Sequence, residues 1–339
     1  MPQLDYAVFD ADNHLYETED ALTRHLPAAH ANLFRFVEIN GRKKLVVRNV
    51  LTEFIPNPTF EVVAQPGSHM SFYAGENSDG RTLRELTGKP IRCEPAFREP
   101  QARLELLDEA IAELELLIDR GARAVLMRPA PVSGLRGTRS PFLPEFDPFW
   151  ARVQEAGLVV ALHASDSGYQ DYLNTWEGTG GEYVAFRPQT FAAVADGGRT
   201  IQDALASAIC HGMLTRFPGV KLISVENGGS WVGTLLGNLL AAYKKMPQEF
   251  PEHPLDVFHR NVWVNPFWED SVTGLIELIG ADRVCFGSDY PHPEGLEDPL
   301  SWAGELHDTP PPDIERIMST NMFELLGLDR PSVGTRRSA

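Results

Sequence analysis

Cysteine is scarce. The chain holds three, Cys93, Cys210 and Cys285, far apart and without a CxxC spacing, which argues against a disulfide framework or a thiolate metal site and leaves reduced structural thiols as the expectation. Positive charge is also in deficit. Against 47 Asp and Glu stand 30 Lys and Arg, a net charge of −17, so a phosphate backbone or an anionic membrane surface is repelled, and neither nucleic acid nor membrane is an expected partner. No apolar run approaches the roughly 18 residues of a membrane helix. Met1 to Tyr6 lacks the basic start and apolar core of a secretory leader, and a cytoplasmic location is expected. No GxGxxG or GxxxxGK[ST] follows the first predicted strand, which removes a nucleotide-binding α/β reading.

What the chain does have is a repeating unit. A helix closes at glycine, a short apolar run follows, and the run stops at polar residues. Leu158-Val159-Val160-Ala161-Leu162 ends at His163, Lys221 to Val225 ends at Glu226-Asn227-Gly228-Gly229, and Val284-Cys285-Phe286 ends at Gly287-Ser288-Asp289-Tyr290-Pro291-His292. Six strands are predicted in this way, 6–12, 123–128, 158–163, 220–225, 261–265 and 283–287, alternating with helices such as 98–119, 200–216 and 231–245. The alternation predicts a parallel sheet, most economically a TIM-like (β/α) barrel. One domain over 1–330 is expected, with a basic disordered tail at 331–339. Residues 36–92 interrupt the pattern: Asn40-Gly41 between apolar runs predicts a hairpin in a small antiparallel β insertion. Residues 65–92 read as a long loop that folds over a site or reaches a neighbouring subunit, and the whole 36–92 excursion as a dimer arm for a homo-oligomer.

Strand ends carry the chemistry in such folds, because the strand fixes what the loop projects. Here the ends present Asp12 and His14, Arg128, His163, Glu226, Asn265, and Asp289 with His292. An Asp-x-His pair alone is common by chance, and a lone His is more often a hydrogen-bonded core residue. Four such residues ending four separate strands are the signal. Oxygen and imidazole donors without thiolate describe one divalent metal ion in an open catalytic site, Zn²⁺ first and Mn²⁺ second.

The residues Phe9-Asp10-Ala11-Asp12-Asn13-His14, Leu162-His163, Arg216-Phe217-Pro218 through Glu226-Asn227-Gly228, Gly287 to His292, and Asn321 to Leu328 resemble the amidohydrolase superfamily. The resemblance is to the amidohydrolase-related branch that includes aminocarboxymuconate semialdehyde decarboxylase and the resorcylate decarboxylases. It implies a (β/α)8 barrel, with metal ligands Asp12, His14, His163 and Asp289. Asp12 stands where the family has the first His of a pair, and Glu226 where many members have a His that serves as acid or base. Two of the eight βα units are not identifiable and would fall near Asp108-Glu109-Ala110, so either a portion is absent there or the barrel is incomplete.

These readings converge on an enzyme acting on a small organic substrate. As a hydrolase of a lactone, an amide or a similar substrate, it activates water on the metal while Asp289 moves the proton, His292 or Glu226 orients water or substrate, and Arg128 and Asn265 contact the substrate. The alternative is a non-oxidative decarboxylase (carboxy-lyase) of a hydroxylated aromatic or unsaturated acid, with Asp289 or His292 as the acid. A metal-free, non-catalytic barrel is the reading from a different class.

Overall fold

A computed structural model describes residues 9–12, 34–39, 41–47, 50–51, 62–65, 67–92, 118, 121–134, 137–165, 167–177, 190–196, 198–268 and 270–331. The expectations for residues 6–8, His14, the tail from 332, and all of helix 98–119 except Ile118 lie outside them.

The strands, in chain order, are β1 (Phe34–Ile39), β2 (Arg42–Val47), β3 (Val50–Leu51), β4 (Val62–Val63), β5 (Ile91–Arg92), β6 (Ala124–Met127), β7 (Val132–Gly134), β8 (Gly137–Arg139), β9 (Val159–His163), β10 (Lys221–Val225) and β11 (Val262–Val264). β6, β9, β10 and β11 form one sheet in the order β11-β10-β9-β6, every pair parallel, with helices in the crossovers. Short Val- and Ile-rich runs buried on both faces are what such a sheet selects. Sequence neighbours are spatial neighbours here, as in the arc of a (β/α) barrel.

The arc continues past β11 without regular strands. Cys285 donates its N–H to the Val264 carbonyl at 2.9 Å and Ala11 donates to Phe286 at 2.9 Å, so 284–287 and 9–12 take the next two places. This corrects the expected strand 283–287, and of the expected strand 6–12 the described residues 9–12 form no regular strand. Val284 makes only an isolated parallel bridge to Val264, because Phe286 sends its N–H to the Ile317 carbonyl instead of a neighbouring strand. Residues 9–12 likewise send the Phe9 N–H to Met318.

Two apolar layers flank the arc. On the helix side, Val160, Leu162, Leu222, Val262 and Val264 pack against the helices Arg199–Cys210, Val232–Lys245 and Pro254–Asn261. In the first of these helices Ile201, Ala204, Leu205, Ala208 and Ile209 are buried at a spacing of three and four residues, which makes a single apolar stripe. On the other face Val159, Ile223, Val225, Trp263 and Cys285 pack with Met322 and Leu325. Cys285 is fully buried and its thiol is pushed far up by that burial, so it stays protonated and inert, whereas Cys210 lies exposed.

The insertion contains the expected hairpin, β1 against β2 with Gly41 at φ 72°, and β3 extends it to three antiparallel strands. Residues 65–92 are not a featureless loop, which corrects that expectation. They hold the helices Met70–Tyr73 and Leu83–Thr87, the second closed by a capping box between Thr82 and Glu85, and β5 returns to pair with β4. Hydrophobic periodicity is too short here to announce four- and five-residue helices. Gly67 donates to the His292 carbonyl at 3.2 Å and His69 to the Pro293 carbonyl at 2.6 Å, so the segment docks on the loop that follows Asp289.

Candidate active site

Strand ends bring the polar residues together at one end of the arc. His163 ends β9, and Ala164 donates its N–H to the Val225 carbonyl at 3.1 Å, which keeps β9 and β10 aligned to their last residues. Asn227 reinforces the junction by donating its amide to the Leu162 and Val225 carbonyls at 2.9 and 2.6 Å. Between them Glu226 adopts φ 54°. A left-handed conformation costs a residue with a Cβ roughly 1 to 2 kcal/mol, so surrounding contacts must enforce it.

Asp289 has the same conformation, φ 55°. Its own N–H donates to the Asp12 carbonyl at 2.8 Å, and the preceding Ser288 donates N–H and hydroxyl to the two oxygens of Asp10. Asp10 is therefore the brace that fastens the first chain segment to the Ser288 turn. Asp12, 4% exposed, is carried to the cleft beside it.

His163 Nδ1 lies 2.7 Å from the Ala164 carbonyl, which can only accept, so Nδ1 carries the proton. Nε2 then faces Glu226 Oε2 at 3.2 Å and Asp12 Oδ1 at 3.8 Å. A neutral ring would aim a lone pair at two anionic oxygens. The arrangement is satisfied by a cation among these three groups, either a proton on Nε2 or a metal ion.

On the other side of the cleft His292 Nδ1 approaches Asp289 Oδ1 at 2.9 Å. Glu226, Asp289, His292 and Glu294 each offer one donor atom, all within 4.8 Å of one another. Glu226 thus joins two subsets, Asp12 and His163 on one side and Asp289, His292 and Glu294 on the other. Oxygen and imidazole donors of this kind, with no thiolate, fit a divalent ion such as Zn²⁺ or Mn²⁺.

The cleft is lined by Asp12, Glu226, Asp289 and Glu294 together with Tyr73, Pro266, Phe267, Trp268, Gly287 and Ser288. Four carboxylates share a space with three aromatic rings. Asp270 positions one ring and one loop at once: its Oδ2 accepts the Gly229 N–H at 2.6 Å and the Phe267 N–H at 2.9 Å. Burial pushes the Asp270 carboxyl above its ordinary range, opposed by those two amide bonds.

Of the residues read from sequence, Asp12, His163, Glu226, Asp289 and His292 gather here, and His14 lies outside the described residues. Asn265 is 2% exposed and donates its amide to the Pro266 and Cys285 carbonyls at 3.0 and 3.4 Å, outside the cleft lining. Arg128 is exposed, its Nη2 3.5 Å from the Pro131 carbonyl, and it does not line the cleft either. Sequence reading missed Glu294, Asp270 and Tyr73. Glu294 lies five residues beyond Asp289 in a Pro- and Gly-rich loop whose path no periodicity describes. Asp270 was legible only as a charge before a helix.

The amidohydrolase family model matches residues 92–328. Among solved structures, an amidohydrolase from Mycobacterium avium subsp. paratuberculosis K-10 aligns with a TM-score of 0.86 at 32% identity, over 96% of this chain and 100% of that one. Among curated proteins, a 2-amino-3-carboxymuconate-6-semialdehyde decarboxylase of Dictyostelium discoideum is 26% identical over 37% of this chain and 36% of its own length. A gamma-resorcylate decarboxylase of Rhodococcus jostii (strain RHA1) is 25% identical over 56% of each chain. The matches thus span about a third and about half of the length of these curated relatives.

Proposed function

Because the chain belongs to the amidohydrolase family, we propose that it is a metal-dependent carboxy-lyase that removes CO₂ from a small planar acid. The observation that carries this reading is the composition of the cleft, where Tyr73, Phe267 and Trp268 line the same space as Asp12, Glu226, Asp289 and Glu294. Aromatic walls favour a flat, conjugated substrate. An acidic floor repels a carboxylate unless a cation sits between them, so binding of an acid calls for the metal. The two curated decarboxylases support the same choice between hydrolysis and decarboxylation.

Asp12, His163, Glu226 and Asp289 would hold the ion, with His14 expected beside them. When bound it draws electron density from the substrate's oxygens, which is what weakens the bond to the departing carboxylate. The chain's own groups do the rest. His292 and Asp289, at 2.9 Å, form the pair positioned to hand a proton to the carbon that CO₂ leaves. Tyr73, Phe267 and Trp268 exclude water from the substrate's faces and orient its ring. We place the protein in the cytoplasm, with a small-molecule substrate as its partner, and the 36–92 insertion as a candidate surface for self-association.

The test is release of CO₂ from a panel of hydroxybenzoates and unsaturated acids by enzyme loaded with Zn²⁺ or Mn²⁺, beside hydrolysis of lactones and amides. Metal-dependent CO₂ release supports the carboxy-lyase. Turnover of lactones or amides alone would assign the site to hydrolysis.

A further inference from the structure

The insertion does more than decorate the barrel. Among the described residues, Tyr73 is the one the insertion contributes to the lining of the cleft, from the last position of the helix Met70–Tyr73. The other lining residues come from the arc itself and the loops at its end. We propose that Tyr73 is a specificity-determining residue, held over the carboxylate floor by an intrachain cover, and that it selects ring-bearing acids over acyclic ones. This rests on the cleft being the substrate site.

Three observations fix the cover. Gly67 and His69 donate their N–H groups to the His292 and Pro293 carbonyls at 3.2 and 2.6 Å. At Gly67, φ +71°, an added Cβ would stand 2.8 Å from Glu297 Cβ, so the two backbones touch at a distance only glycine permits. The His69 ring is fully buried, and Nε2 lies 3.0 Å from the Leu83 carbonyl and 2.7 Å from Thr87 Oγ1, which ties the first short helix to the second. Within the cover, the Phe72 ring meets Tyr73 edge to face at 5.3 Å.

The position has a chemical consequence. Tyr73 is 41% exposed and lines the cleft that holds the carboxylates, so it presents accessible surface there. Phe267, 40% exposed, and Trp268 supply aromatic surface in the same cleft. A planar acid entering there meets aromatic surface from two separate parts of the chain. An acyclic acid reaches the carboxylates but gains nothing from the aromatic rings. Because Tyr73 lies outside the βα repeat, the insertion tunes what binds without moving the strand ends that do the chemistry.

Equilibrium binding separates this proposal from the reaction. Salicylate and succinate are titrated into the Mn²⁺-loaded full chain and its Tyr73→Phe, Tyr73→Ala and Gly67→Val variants, by calorimetry, with metal content measured on each. The expected result is salicylate binding weakened about five- to tenfold in Tyr73→Ala and restored in Tyr73→Phe, the range of a lost aromatic contact. Gly67→Val should behave as Tyr73→Ala does although it leaves the ring in place, and succinate should not distinguish the four proteins. Equal salicylate affinity in wild type and Tyr73→Ala, or no salicylate binding at all, overturns the proposal. Salicylate binding without CO₂ release from any acid would instead defeat the carboxy-lyase reading and leave Tyr73's role standing.

Discussion

Glu226 and Asp289 are the two non-glycine residues with positive φ among the described residues, 54° and 55°, and their carboxylates meet in one cluster. Both sit where a buried apolar run ends, and in both cases neighbouring hydrogen bonds enforce the conformation. Strain concentrated at the residues that face the cleft is what a pre-organised site requires, since relaxed backbone would aim these side chains elsewhere.

The strain makes stability and activity separable at Glu226. With metal removed from both proteins, Glu226→Gly should fold at least as stably as wild type, gaining up to about 1 kcal/mol from relief of the left-handed conformation and of charge repulsion. Glu226→Gln keeps the Cβ and should gain less. Both should lose turnover by about 100-fold or more if Glu226 takes part in holding the ion. Urea denaturation beside a rate assay checks this; a marked loss of stability in the glycine variant contradicts it.

Metal content and thermal stability should move together. Wild type is expected to bind about one equivalent of Zn²⁺ or Mn²⁺ per chain and to melt higher as the ion is added, because an ion that binds the folded state stabilises it by mass action. His163→Ala and Asp289→Ala should lose both effects. Elemental analysis with a melting series decides, and a melting temperature indifferent to metal in wild type would count against the site.

At Asp270 the direction of the pH dependence is fixed by its raised pKa. A carboxyl whose folded pKa lies above its unfolded value of 3.8 stabilises the fold at low pH, and that contribution is lost as pH rises through the folded value. Asp270→Asn can keep an acceptor for Gly229 and Phe267 without the buried charge. Its stability relative to wild type should therefore improve as pH is raised from about 3.5 to 7. Asp270→Ala, which leaves two amides without their acceptor, should cost about 1 to 3 kcal/mol. Denaturation curves at several pH values give the answer, and a pH-independent difference for the asparagine variant would refute the argument.

His69 should loosen its segment in acid. Burial lowers its pKa below 6.5, opposed by its bond to the Leu83 carbonyl, so protons favour the undocked state and the stabilisation declines as pH falls below 6.5. Hydrogen exchange in residues 67–87 is expected to quicken between about pH 6.5 and 5 more than exchange in β9 or β10, after correction for intrinsic rates. A His69→Gln variant should lose that pH dependence, and equal protection at both pH values in wild type would rule it out.

Much of the arc could be read from residue order alone. Val159 to His163 and Lys221 to Val225 are apolar runs bounded by glycine and polar residues, and buried parallel strands select that pattern. The run before Asp289 was overread for the same reason: apolar residues mark burial, and burial at Phe286 comes with a bond to Ile317 instead of a regular ladder. Site residues at strand ends inherited the legibility of their strands. Tyr73, Asp270 and Glu294 did not, because their places depend on contacts to residues far away in sequence, and no local period encodes a contact of that kind. Asn265 stood at a legible strand end, yet its amide is committed to backbone carbonyls, which composition cannot distinguish from a side chain facing a ligand.

Ser288 and Asp10 bind each other across 278 residues. During synthesis the βα units can form in turn as they leave the ribosome, each on local contacts. The cleft cannot. Asp12 and Asp289 take their places only once the end of the arc has emerged and captured a segment made at the beginning. Any chain released early, or clipped between the two, would leave Asp12 and Asp289 apart, so assembly of the cleft is an event that joins the two ends of the arc.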